Sequence, residues 1–186
     1  MAKAFESLRG QFLLDGGRLH GSWFHRTVVL VCSHDAEGAF GLVLNRPAGH
    51  PVGEAIVADL PDILREMPLR VGGPVQPAAL SFLHGDHFLP DGSVMENVDL
   101  GHDLDDLVEL GGSFSATRRL AVFAGYAGWS AGQLDDELRR GAWLTHPATP
   151  ELIFDSDPAQ LWRNLLRAKG PRYRLLADAP EDPSLN

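Results

Sequence analysis

Cysteine is almost absent: Cys32 is the single one in 186 residues. No disulfide can form within the chain, which excludes a small exported scaffold held by cross-links. Long apolar runs are equally scarce. The longest uninterrupted ones, Val28 to Cys32 and Leu120 to Ala124, fall far short of the roughly 20 residues that span a bilayer. Met1 to Gly10 holds Lys3 and Arg9 without a continuous apolar stretch of signal-peptide length, so the expectation is a cytoplasmic chain with no membrane segment. Positive charge is in deficit as well. Lys and Arg number 16 against 25 Asp and Glu, a formal net charge of -9. Nucleic acids and anionic membranes both need a concentrated positive field, so direct nucleic-acid binding is disfavoured. No internal repeat or low-complexity linker divides the chain. Its 44% of hydrophobic residues is normal for one globular domain with a sizeable core, expected over residues 1–176, with a mobile Pro- and Asp-rich tail over 177–186.

Two strands stand out. Thr27 to Ser33 (TVVLVCS) and Ala39 to Asn45 (AFGLVLN) are near-continuous apolar runs, the pattern of strands covered on both faces. The polar link His34 to Gly38 has hairpin length. Shorter strands are expected at Gln11 to Leu14, Leu69 to Val71, Leu80 to Leu83, Arg119 to Ala124 and Leu152 to Phe154. Three helices have readable ends. Asp103 caps one that Gly111 closes; Ser130 and Gln133 have capping-box spacing before one that Gly141 stops. Asp157 caps a third, with Pro158 at its first position and Leu161, Trp162, Leu165 and Leu166 on its buried face. Strands cluster early and helices late, which points to a mixed sheet with peripheral helices, an α+β fold rather than a doubly wound one.

Four segments, in order, resemble the YqgE/AlgH family of bacterial proteins: Gly10 to Leu14 (GQFLL), Phe24 to Pro47 (FHRTVVLVCSHDAEGAFGLVLNRP), Gly72 to Val75 (GGPV) with Leu83 and His84, and Gly125 to Leu144 (GYAGWSAGQLDDELRRGAWL). The resemblance covers about residues 10 to 165. One departure lies at Asp15 to Arg18 (DGGR), where the family more often has an Ala-x-Pro-like stretch. The resemblance implies a bifurcated mixed β-sheet that includes a small closed barrel and is surrounded by helices. It brings no settled activity, and the family's transcriptional-regulator label comes from the regulatory association of one branch.

Several places invite chemistry. Cys32 and His34 would share a strand face if alternation held, and an imidazolium there would raise the thiolate fraction; the alternative is a thiol buried in the core. The stretch Gly125, Tyr126, Gly128, Trp129 and Ser130 reads as a strand-to-helix turn. Its backbone would approach a ligand, with the helix N–H groups facing an anion, or its aromatic residues would simply fill core space. Asn45 and Arg46, with Gly72 and Gly73, would line a shared concavity, Arg46 holding a carboxylate or phosphate; the alternative is a plain turn. His84, Asp86 and His87 (HGDH) resemble a ligand cluster, yet no second ligand pair has metal-site spacing, so neither metal nor other cofactor is expected. Arg163, Arg167, Lys169, Arg172 and Arg174 are either a local phosphate or nucleic-acid contact or the solvated face and dipole-complementing end of the third helix.

The sequence therefore favours a non-enzymatic regulatory or ligand-binding domain, taking a small anionic ligand or a protein partner. The alternative is a thiol-dependent redox sensor or enzyme using Cys32. Direct DNA-binding regulation is disfavoured, for no basic recognition helix is present.

Overall fold

The computed structural model describes residues 5–85, 92–113 and 119–181. Continuous apolar runs need cover on both faces, and the two central strands have it. β1 (Gln11–Asp15) and β2 (Val28–Asp35) pair antiparallel, and β2 pairs with β3 (Gly38–Val43). Phe12, Leu14, Val28, Leu30 and Leu42 point into one core. Leu13, Val29, Val31 and Val43 point into a second core on the opposite face. The link between β2 and β3 is only Ala36 and Glu37, tighter than the five-residue link expected.

Six more strands complete the described sheet: β4 (Pro47–Pro51), β5 (Pro68–Val71), β6 (Val75–His84), β7 (Asp99–Gly101), β8 (Leu120–Ser130) and β9 (Trp143–Pro147). The order is β4-β5-β8-β3-β2-β1-β9, with β6 along β8 and β7 along β6. The ends of this order do not pair with one another, so the sheet is open and the small closed barrel expected from the resemblance is not supported. β8 is where the sheet divides. Its first half lies between β5, in parallel, and β6, antiparallel. Its last residues, Ala127 to Ser130, pair with β3. Gly125 marks the change with φ +73°, a left-handed conformation that a side chain resists. Beside it, a Cβ on Gly73 would lie 2.0 Å from the carbonyl carbon of Tyr126; only glycine lets the two backbones come so close.

The helices are α1 (Val52–Ala55), α2 (Asp62–Arg65), α3 (Leu104–Gly111), α4 (Gln133–Arg139), α5 (Pro150–Phe154), α6 (Pro158–Ala168) and α7 (Pro171–Asp178). Two begin as expected. The Asp103 carboxylate accepts from the N–H groups of Asp105 and Asp106, and that of Asp157 from Ala159. Leu161, Trp162, Leu165 and Leu166 of α6 are buried, each contributing roughly 1.5–3 kcal/mol by leaving water.

Elsewhere the structure corrects the sequence reading. Leu152 to Phe154 is helical, not a strand: Thr149 caps α5 by accepting from Leu152 N–H, and Pro150 opens it. The Gly125 to Ser130 stretch is strand throughout rather than a turn. Only half of the capping box forms. The Gln133 Oε1 accepts from Ser130 N–H at 3.0 Å, but the N-cap position belongs to Gly132, at φ +71°. The expected tail starts inside α7, where Ala177 is fully buried. Beyond it, the carbonyls of Ala179 and Pro180 accept from Arg26.

Candidate functional site

The β1–β2 connection organises the region of interest. Asp15, at the end of β1, is fully buried, and its carboxylate gathers the loop around itself. Its Oδ1 accepts from Gly17 N–H at 2.8 Å and Leu19 N–H at 3.3 Å, and its Oδ2 accepts from Arg26 N–H at 2.8 Å. Asn45 fastens the far end, accepting from Val28 N–H and donating to Arg26 O, both at 2.8 Å. Arg46 donates to His25 O at 2.6 Å and lies over the Trp23 ring. Residues 16–26 are thus held as a rigid rib, with a hollow on either side.

The first hollow is a groove of about 400 Å³ between this loop and the β8–α4–β9 unit. Its wall is aromatic: Phe24 lies 5.6 Å from Trp143 and 6.5 Å from Trp129, measured between ring centroids. Both indoles are nearly buried, and both donate to one oxygen of Glu137, at 2.9 Å from Trp129 and 2.8 Å from Trp143. The other Glu137 oxygen accepts from the Gln133 amide at 3.0 Å. With two indole donors on one oxygen and the Gln133 amide on the other, Glu137 holds both rings in place. Arg18 and Arg140 stand on the rim. Arg18 donates to the Arg140 carbonyl at 2.9 Å, yet neither guanidinium joins an ion pair among the described residues. A mostly apolar wall edged by two arginines, bonded to the backbone carbonyls of Arg140 and Asp136 rather than to carboxylates, suits a flat organic anion.

The second hollow, of about 260 Å³, is bounded by His20, His25, Arg26, Trp162, Leu176 and Pro180. The His20 and His25 rings meet at a tilt, 4.4 Å between centroids. His25 Nδ1 is 3.3 Å from Asp15 Oδ2. Burial holds the His25 pKa below the ordinary histidine value, with Asp15 pulling the other way and His20 and Arg26 adding to the depression.

The sequence candidates fall in different places. Gly128 and Trp129 line the groove. Tyr126, on the other face of β8, stacks on Phe40, and Ser130 binds Gln133. Gly72, Gly73 and Gly125 serve backbone packing, while Asn45 and Arg46 staple the loop. The groove residues that sequence reasoning passed over are Arg18, Phe24, Glu137 and Trp143, although three of them lie inside segments that carry the family resemblance. His84 lines a third, acidic hollow with Asp99, Asp106 and Glu109; Asp86 and His87 lie outside the described residues. Among the basic residues near α6, Arg167 pairs with Asp178, Lys169 donates to Thr145 O, Arg172 lies over Tyr173 and Arg174 donates to Arg167 O.

Cys32 and His34 do not share a face. The β2–β3 register slips between Val31 and Ser33, a bulge that adds one residue and breaks the alternation. Cys32 stays in the first core. His34 pairs with Ala39, on the side of the second core, where its Nδ1 accepts from Leu8 N–H and its Nε2 sits 3.7 Å from Asp135. The thiol is 3% exposed, and burial pushes its pKa far above the usual range. Native protein should therefore resist iodoacetamide from neutral to mildly alkaline pH and label only when unfolded. Labelling of the native chain that weakens in His34→Ala would contradict this placement.

Residues 12–174 match the family model described as AlgH-like. A UPF0301 protein of Chlorobium limicola is 40% identical over 190 aligned positions, covering all of both chains. One from Streptomyces coelicolor is 39% identical, covering 97% of this chain and 96% of its own. The solution structure of the AlgH protein from Pseudomonas aeruginosa superposes with a TM-score of 0.75 at 28% identity, covering 97% of this chain and 98% of that one. The crystal structure of a Corynebacterium diphtheriae protein gives 0.76 at 22% identity over 96% and 95% of the two chains, a likeness of fold alone.

Proposed function

Starting from a chain that belongs to the AlgH-like family, we propose that it is a non-enzymatic, cytoplasmic ligand-binding domain of regulatory type, whose groove takes a small planar anion. One observation carries this reading: the aromatic wall of Phe24, Trp129 and Trp143 is locked by Glu137 and edged by two guanidiniums outside any described ion pair. Ring stacking would supply the attraction, and Arg18 or Arg140 the selection for a carboxylate or similar group. No group in the groove is placed as a nucleophile with an adjacent base. The thiol alternative finds no support in a cysteine buried in the first core, on the opposite face of β2 from His34. Among the described residues, no helix is long and apolar enough to cross a membrane.

Titration of the nitrogen-15-labelled protein with naphthoate tests the reading. The indole N–H signals of Trp129 and Trp143 should shift together and saturate. The uncharged analogue naphthylmethanol should bind about tenfold more weakly, in line with the loss of one charge-assisted hydrogen bond. Arg140→Gln should narrow that difference. Equal affinity for charged and uncharged probes, or no shift at either indole, would defeat the proposal.

A further inference from the structure

The second hollow contains an unusual cation. The Arg26 side chain is only 11% exposed, and its guanidinium lies 5.1 Å over the Trp162 ring. Nη2 donates to the carbonyls of Ala179 at 2.7 Å and Pro180 at 2.9 Å. Nε and Nη1 are buried without a hydrogen-bond partner. Arginine does not shed its proton, so this charge is permanent, and a buried charge without close pairing is costly. The neighbouring carboxylate of Asp15 is occupied by three backbone N–H groups. What faces Nη1 instead is Glu181 Oε1 at 3.6 Å, on a side chain that is 80% exposed. That is ion-pair distance without a hydrogen bond, in the class of contact that stabilises least.

The backbone adds a second sign. Arg26 has φ +56°, a left-handed conformation that a non-glycine residue adopts at a cost. Asp15 fixes its N–H and Asn45 its carbonyl, so the strained residue is held from both sides with its guanidinium laid across the hollow. His25 stands beside it, with Nε2 buried and without a partner.

We propose that this hollow is a binding site for a small oxyanion, carboxylate or phosphate, which Arg26 captures by displacing Glu181. The Glu181 carboxylate marks where the incoming oxygens sit, and the unpartnered Nη1 of the guanidinium offers them a charge-assisted donor. Trp162, Leu176 and Pro180 give the hollow an apolar lining beside the guanidinium. The site is separate from the groove, with which it shares no lining residue.

The labelled full-length chain is titrated with inorganic phosphate and, separately, with propionate, each against chloride at matched ionic strength. The signals read are the Trp162 indole N–H, which donates to Asp15 O at 3.0 Å, and the Gly17 amide. Saturable shifts are expected with at least one probe, and which one responds identifies the source of the oxyanion. Glu181→Gln removes the internal competitor and should tighten binding about two- to fivefold, the range of an exposed ion pair. Arg26→Lys, which keeps the charge but loses the planar guanidinium held over Trp162 and by the Ala179 and Pro180 carbonyls, should weaken it. Absence of saturation with both probes, unchanged affinity in Glu181→Gln, or shifts confined to Trp129 and Trp143 would overturn the proposal.

Discussion

Asp15→Ala is expected to lower folding free energy by about 3–5 kcal/mol, the range seen when one partner of a buried charged network is removed. The carboxylate is fully buried and accepts three backbone N–H bonds, from Gly17, Leu19 and Arg26. Alanine leaves all three donors without a partner, and each unsatisfied buried donor costs about 1–3 kcal/mol. Asp15→Asn separates charge from geometry. Its amide oxygen can still receive one side of the loop, but its NH2 would face an N–H on the other, so about half the loss should remain. Urea unfolding measures both, and an unchanged slope with a shifted midpoint would show that the native state itself has weakened. A loss below about 1 kcal/mol for Asp15→Ala would mean that water replaces the carboxylate at little cost, and the rib would not be the rigid support described.

Glu137→Ala should cost about 2–4 kcal/mol and abolish naphthoate binding. Trp129 and Trp143 are 7% and 4% exposed, so two nearly buried indole N–H groups lose their common acceptor. The rings then gain freedom that a ligand must remove again. Glu137→Gln preserves shape and one good acceptor, and should keep most of the binding. A double-mutant cycle with Trp129→Phe sharpens the test, because the phenyl ring has no N–H to strand. Glu137→Ala should then cost less in that background than alone. Additive losses would show that Glu137 contributes nothing through the indole.

How much of this was legible in the sequence depends on the length of each signal. The runs around Val29 and Leu42 were readable because they are long and wholly apolar, and burial on both faces is what such runs require. Asp103 and Asp157 announced helices because a cap followed by periodic apolar residues is a two-part signal. Leu152 to Phe154 misled because three apolar residues cannot separate a strand from one helical turn; Thr149 followed by Pro150 was the better cue. The stretch from Gly125 to Ser130 looked like a turn because glycine weakens strands. Here glycine answers a demand from Gly72 and Gly73, over 50 residues away, which no local pattern reveals. Cys32 and His34 parted because one bulge undid the alternation. At the groove, Trp129, Gln133 and Glu137 recur at intervals of four, a hint of one connected network, while Arg18 and Phe24 arrive only through the loop that Asp15 ties down. The Asp-Gly-Gly beginning of that loop is itself an Asx-turn signature, now visible as the departure at Asp15 to Arg18.

The rib has two sides. Arg18, Leu19, Ser22 and Phe24 face the groove, while Gly17, His20, His25 and Arg26 face the second hollow. Residues interleaved in this way along one short, stiff segment cannot shift on one side without shifting on the other. Ligands in the two proposed sites would therefore be expected to couple: a compound that changed the affinity of its neighbour by some factor would have its own affinity changed by the same factor. Asp15 lines neither hollow yet ties the segment between them, so Asp15→Asn is expected to weaken that coupling.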